Sequence, residues 1–327
     1  MPDEKQKFLN NKNGTSVFYP AEVYAVRRKG GFMSDYFCKK NKWFYLGLTV
    51  PSMLLSFLAL AGPLIFGTFP ASFYNWNLIK GNKDFVGLGN FVKLLQDQTF
   101  LHSVAFTLIL AAASILMSNL LGFVVAYFLD SNIRGKGVIR SLFFIPNIIS
   151  GVMVAFVWSF IFTGAIPNLA EIFHIDALAN ISWFGKAGTA AFTVILVTTW
   201  QSAGFLMMLY VAGLQTIPKE LLEAAVLDGC TGFKKIIYIQ LPMLMPTITI
   251  NLFVSIAGAF KAFDIPISLT GGGPANSTQT MAMNIYNDAF GAFKLGYGSA
   301  KSVILFLLVG VIALIQLRLT RKREVQM

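Results

Sequence analysis

Six long apolar stretches divide the chain, near residues 43–69, 102–129, 142–164, 187–213, 243–263 and 298–319. Each is long enough for a helix that crosses a hydrocarbon core, which takes about 20 apolar residues. Most are free of charge. Lys261 and Lys301 fall near span ends, where a long lysine stem can reach the headgroups. The pattern predicts an all-α polytopic membrane protein of six helices. Proline interrupts the first span at Pro51 and Pro63 and the third at Pro146, while Ser114, Ser118, Asn119, Gln201, Ser202 and Asn251 dot the others. Such residues either let helices pack closely and bond to one another or line a wetted path for a polar solute. The pattern leaves both readings open.

Charge orients the spans. Nine Lys and Arg lie in residues 1–42, three in 130–141, three in 214–242 and four from Arg318 onward, against seven in the remaining segments. The excess side is the cytoplasmic one, so both termini are expected in the cytoplasm. The expected organisation is a basic cytoplasmic tail (1–42), a transmembrane domain (43–320) and a short cytoplasmic tail (321–327). Segments 70–101, 165–186 and 264–297 are then outside.

Composition agrees with a bilayer as solvent. Of the 327 residues 55% are hydrophobic and 13% charged, and mean hydropathy is +0.64; soluble domains carry about a quarter charged residues. The net charge of +11 does not point to nucleic acid, because the basic residues flank apolar runs. Two cysteines, Cys38 and Cys230, and two histidines, His102 and His174, cannot build a disulfide framework and make no metal-ligand pattern. No cofactor or metal is expected. The polar first 42 residues match no signal-peptide pattern, and the glycosylation-like triplet at 13–15 falls in the expected cytoplasmic tail. The glycine run at 271–273 lacks the Gly-Lys-Ser/Thr ending of a phosphate loop; Gly135-Lys136 is followed by Gly137 and Gly185-Lys186 by Ala187.

The stretch EAAVLDGCTGFKKIIYIQLP, residues 223–242, is too patterned for a passive connector. Thr216 can cap a helix and Pro218 suits its first turn, with Glu220 at the positive end of the dipole. Gly229 is a natural helix stop, and Thr231 can cap a second short helix with Lys234, Lys235 and Tyr238 on one side and Phe233, Ile236 and Ile237 on the other. The loop therefore reads as two short helices meeting at Gly229. Ala224 and Ala225 offer a low surface to another protein, with Glu223 as an orienting charge. An amphipathic hairpin in the headgroup layer would read the same way.

A resemblance separates the two. Glu223-Ala224-Ala225, Gly229, Ile239 and Leu241-Pro242 stand at the spacing of the EAA loop of ABC importer permease subunits, and Asp228 is similar to the acidic residue common there. The stretches FVGLGNFVKLLQD (85–97), KAFDIPISLTGGGPANSTQT (261–280) and IYNDAF (285–290) resemble segments of carbohydrate permeases of the maltose type. The resemblance covers about residues 43–320 and leaves out the N-terminal tail, which could touch anionic lipid. It implies the six-helix importer fold and a coupling helix at about 215–242. It also implies a related second permease, two cytoplasmic ABC ATPase subunits, an extracellular or periplasmic sugar-binding protein and a sugar substrate. Glu223, Ala224, Ala225, Asp228, Gly229, Ile239, Leu241 and Pro242 would then serve the ATPase contact. Such a subunit is not itself an enzyme.

Sugars stack their apolar faces on aromatic rings and need paired donors and acceptors for their hydroxyls. Candidates for the solute path are Trp158, Trp200, Gln201, Tyr210, Asn251, Lys261 and Asp264. Core packing or an interfacial belt accounts equally for the tryptophans. Lys261 and Asp264 stand three apart on an expected helix face and could pair. Two further classes remain: an ion-driven carrier, disfavoured by the absence of a repeat or mid-span charge, and an ABC permease for glycerol phosphate or another polar solute, which Lys261 would suit.

Overall fold

Helices α3 (Gln98–Asp130) and α6 (Ala187–Gln215) form the centre of the structure, packed against each other along most of their length. They run parallel: Phe106 and Leu110 meet Val194 and Val197, and Ala126 and Leu129 meet Met207, Tyr210 and Leu214. The approach is close because Gly122 carries no side chain; a Cβ there would stand 3.0 Å from the Met207 amide nitrogen. Small residues at the contact are how helices associate where solvent gives no hydrophobic drive.

The computed structural model describes residues 6–10, 16–20, 42–131 and 133–322. The triplet at 13–15, Cys38 and residues 323–327 lie outside the described residues. Two compact units divide the chain at Gly67 and Thr68. The first contains the antiparallel pair β1 (Gln6–Asn10) and β2 (Ser16–Pro20) and the helix α1 (Lys42–Ser56). Helical turns continue to Gly67, with wide π-type turns at Phe57–Ala61 and from Pro63 onward, the local distortion proline imposes on a helical ladder. The rest forms the second unit. It opens with a short hairpin, β3 (Tyr74–Trp76) and β4 (Lys83–Phe85), and helix α2 (Gly89–Gln96). After α3 come α4 (Lys136–Ile148), α5 (Gly151–Ile172), α6, α7 (Lys219–Leu227), α8 (Gly232–Met243), α9 (Met245–Phe260), α10 (Asp264–Thr270), α11 (Met281–Tyr286) and α12 (Leu295–Arg321).

Among the described residues five helices are long and apolar enough to cross a membrane, or six if the bent pair α8–α9 counts as one. Three departures from the expected spans stand out. The third span is not 142–164: the chain breaks at Ile149 and Ser150, both extended, and the long helix is Gly151–Ile172. Apolar residues of two helices had merged into one run, and Pro146 belongs to α4. The fifth, expected over 243–263, is found as α9 from Met245 to Phe260, and α8 meets it at 73° at Leu244. At 1.5 Å per residue the 16 residues of α9 reach about 24 Å, short of a hydrocarbon core of about 30 Å. Helix α9 ends at Phe260, so Lys261 and Asp264 share no helix, and no ion pair joins them among the described residues.

The third departure is Lys301. It does not reach for headgroups; its side chain is 1% exposed. Its ammonium pairs with Asp97 at 3.2 Å and with Asp288, and donates to Asn284 Oδ1. Tyr297 donates to the same Asp97 oxygen at 2.9 Å, and the rings of Phe100 and Tyr297 face the ammonium. Four elements are tied here at the end of the bundle where α3 and α6 begin. Burial opposes ionisation of Asp97, but the Phe100 amide, the Tyr297 hydroxyl and the Lys301 ammonium outweigh it and hold its carboxyl below the ordinary value of 3.8. A carboxyl lowered on folding stabilises above its unfolded value and loses that contribution only as pH falls below it. The melting difference between wild type and Asp97→Asn is therefore expected to stay constant from about pH 8 to 5 and to shrink below about pH 4. A difference that vanishes already near pH 6 would show that Asp97 is not the group held ionised.

Candidate functional site

The loop after α6 is two short helices meeting at Gly229, as expected. Helix α7 ends in a paired-bond stop: the Cys230 amide donates to the Ala225 carbonyl at 2.8 Å and the Gly229 amide to the Val226 carbonyl at 3.0 Å. This closure needs a left-handed residue after the last turn, and Gly229 has φ +76°. The local capping differs from expectation. Thr216 ends α6, bonding back to the Gly213 carbonyl at 2.7 Å, and Pro218 takes the N-cap position of α7. Thr231 precedes α8, but its hydroxyl makes no capping bond.

Glu223, Ala224, Asp228 and Gly229 are exposed, Ile239 and Pro242 half-buried, and Leu241 exposed. Ala225 is turned inward, 6% exposed, so of the two alanines only Ala224 offers its face outward. The second helix is present, and neither of its expected sides is buried: Phe233 and Ile237 on one and Lys234 and Tyr238 on the other are exposed, with Lys235 and Ile236 half-buried. Leu227, which sequence reasoning passed over, is 89% exposed. With Phe233 at 74% and Tyr238 at 70% it is among the most exposed large side chains of the loop, whose other exposed residues include both charged ones and the apolar Val226 and Ile237. The signal was available as three large apolar residues in a polar segment.

A second feature lies between α3, α4, α6, α9 and α10. Here a cleft of about 480 Å³ is lined by Ser114, Ser118, Asn147, Thr198, Gln201, Ser202, Ser255, Lys261 and Asp264, with Phe205 and Phe263 among its apolar walls. The break between α4 and α5 opens onto it, and Gln201 seals the break by donating to the Ile149 carbonyl at 3.0 Å. That carbonyl would otherwise lack a helical partner. The chain folds back tightly here: a Cβ on Gly151 would come 2.9 Å from the Asp264 Cβ.

The expected solute-path residues separate into two groups. Gln201, Lys261 and Asp264 are brought together on the cleft. Trp158, Trp200, Tyr210 and Asn251 are not among its lining residues. Trp158 packs against the Phe162 ring at 5.3 Å and meets Trp200 edge-on at 5.4 Å. Tyr210 is buried and donates to Asn119 Oδ1 at 3.0 Å, while Asn251 is fully buried, with its Nδ2 toward the Leu206 carbonyl at 3.4 Å. Asn119 in turn bonds Ser255 on the cleft wall at 3.2 Å. These three residues thus pin α3, α6 and α9 together. Asn147, Thr198 and Ser255 were missed, since single polar residues within apolar runs do not reveal which of them face one another. The turn after α10 is a structural knot. Thr278 closes it through its amide to the Gly272 carbonyl and its hydroxyl to the Gly273 carbonyl.

Comparison with known proteins agrees with this architecture. The family described as the inner membrane component of binding-protein-dependent transport systems matches residues 118–325. The probable starch degradation products transport system permease protein AmyD of Thermoanaerobacterium thermosulfurigenes is 36% identical over 291 residues, covering 89% of this chain and 98% of the relative. The multiple sugar-binding transport system permease protein MsmF of Streptococcus mutans is 35% identical over 283 residues, covering 86% and 97%. A crystal structure of a bacterial ABC transporter that imports the acidic polysaccharide alginate aligns with a TM-score of 0.74 at 22% identity, over 87% of this chain and 97% of that one. Such a likeness speaks for the fold. Matching more than half of its length, the chain belongs to the family of inner membrane components of binding-protein-dependent transport systems and is a multi-pass membrane protein.

Proposed function

We propose that this chain is a permease subunit of an ABC importer that carries a sugar, an oligosaccharide, into the cytoplasm. The observation that carries the reading is the near-full-length likeness to permeases named for starch degradation products and for multiple sugars. The hydroxyl- and amide-lined cleft with two phenylalanines supports it, since it offers the donors, acceptors and ring faces a sugar needs. In this reading both termini are cytoplasmic. The 215–242 loop meets an ATPase subunit through Glu223, Ala224, Asp228 and Gly229 and the apolar residues Leu227, Phe233 and Tyr238. Ala225, Ile239, Leu241 and Pro242 hold the loop in shape. A related second permease completes the pathway, and a binding protein delivers the solute on the outer side. ATP is hydrolysed by the partner subunits. Transport then follows from contacts that differ between the inward- and outward-open states.

Glu223→Lys is expected to lower ATP-coupled uptake about tenfold or more, because reversing a docking charge puts like charges together. Uptake and subunit co-purification measured side by side read this directly; a variant that assembles and transports as wild type removes the docking role. Substrate class is tested by uptake of labelled maltooligosaccharides in a strain lacking the gene, and unchanged uptake would overturn the sugar reading.

A further inference from the structure

Lys261 and Asp264 are the two charged side chains among those lining the cleft. Both are exposed, and neither makes an ion pair or a side-chain hydrogen bond among the described residues. Their positions are built. Lys261 caps the end of α9, and Asp264 opens α10 with its Cβ set against Gly151. Ser114, near the middle of α3, lines the same cleft, so these charges open onto a cavity that reaches the middle of that helix. Ionisable groups at such a place face water or a solute, because the alternative is an unpaired charge in an apolar medium.

We propose that Asp264 and Lys261 set the charge of the transported solute, so that the cleft accepts uncharged polyhydroxylated molecules and rejects anionic ones. This rests on reading the cleft as the solute path. An anion such as a phosphate ester or sugar acid is held by several cationic donors, often a bidentate guanidinium. The cleft offers one ammonium, and Asp264 opposes it with a like charge toward the anion. A neutral hydroxylated solute instead donates to the carboxylate and accepts from the ammonium, satisfying both at once.

The test uses the complete transporter, with its partner permease, ATPase subunits and binding protein, in proteoliposomes. Uptake of maltose is compared with that of maltobionate, a disaccharide of similar size bearing one carboxylate. The binding protein is the same throughout, so differences between variants report this chain. Wild type is expected to favour maltose. Asp264→Asn should narrow that preference about tenfold, Lys261→Gln should widen it, and the double variant should return toward wild type. Opposite shifts from two neighbouring substitutions cannot come from a shared loss of structure. If both variants lower the two uptakes by the same factor, or if wild type prefers maltobionate, the proposal is overturned. A wild type that carries neither maltose nor longer maltooligosaccharides overturns instead the sugar reading beneath it.

Discussion

A Gly204→Val variant is expected to accumulate at a small fraction of the wild-type level and to melt well below it. The reason is the approach of α6 to α4. A Cβ at residue 204 would lie 1.8 Å from the Phe143 carbonyl oxygen, 2.7 Å from its carbonyl carbon and 3.2 Å from the Phe144 Cα. All three are backbone atoms, so no side chain can swing aside to make room. Overfilling a packed site typically costs 1–3 kcal/mol, and a backbone collision of this depth exceeds about 3 kcal/mol. The damage spreads to the cleft, because Gln201 lies one turn away on α6 and holds the Ile149 carbonyl. Pushing α4 outward breaks that bond and deforms the wall that carries Asn147. Gly310→Ala in α12 is the control, since nothing lies within 4 Å of its would-be Cβ. Membrane content and thermal melting of both variants decide the matter. A Gly204→Val protein that accumulates and melts as Gly310→Ala does would show that α4 does not pack as described.

Lys301→Met should produce the second large effect. The substitution keeps most of the stem volume and removes the charge that Asp97 and Asp288 share. Two carboxylates are then left without their cation, and Asn284 and Tyr297 lose part of their network. Breaking a buried pair by deleting one partner costs about 3–5 kcal/mol; the lower end, about 3 kcal/mol, applies because both carboxylates reach solvent. Adding Asp97→Asn and Asp288→Asn to Lys301→Met should recover part of the loss, since neutralising a whole cluster is far milder than unbalancing it. Melting temperatures of the single and triple variants test this. A triple variant less stable than Lys301→Met would mean that the carboxylates are held by something other than the ammonium.

How much of this was legible beforehand depended on the range over which each signal acts. The second, fourth and sixth spans were found within a few residues, because a long charge-free helix is a local property. The hairpin of α7 and α8 was read from Gly229, whose role in the turn is equally local. The break at Ile149 and Ser150 was only hinted at, by Pro146 and by the pair Ser150-Gly151 within an otherwise apolar run. Its stabilising partner, Gln201, is 52 residues away. Lys301 was misjudged for the same reason: Asp97, which holds it, lies about 200 residues earlier in the chain. The inward turn of Ala225 depends on how α7 rolls against the bundle, which no pattern within the loop encodes. The cleft was half visible. Serines, Gln201, Lys261 and Asp264 were noted, but which of them share a wall is a matter of tertiary packing.

The 73° corner between α8 and α9 has a mechanical meaning. Leu244 at the corner is fully buried; its amide donates to the Gln240 carbonyl, and its carbonyl accepts from the Ile248 amide. The corner is thus hydrogen-bonded on both sides, and the two arms have the geometry of a bell crank. With 12 residues on one arm and 16 on the other, the arms are about 18 and 24 Å long. A displacement of the shorter arm across its axis swings the tip of the longer one by a comparable distance in another direction. That tip is where Lys261 sits, so a corner that kept its angle would carry a thrust on the shorter arm to the cleft wall with little change of stroke.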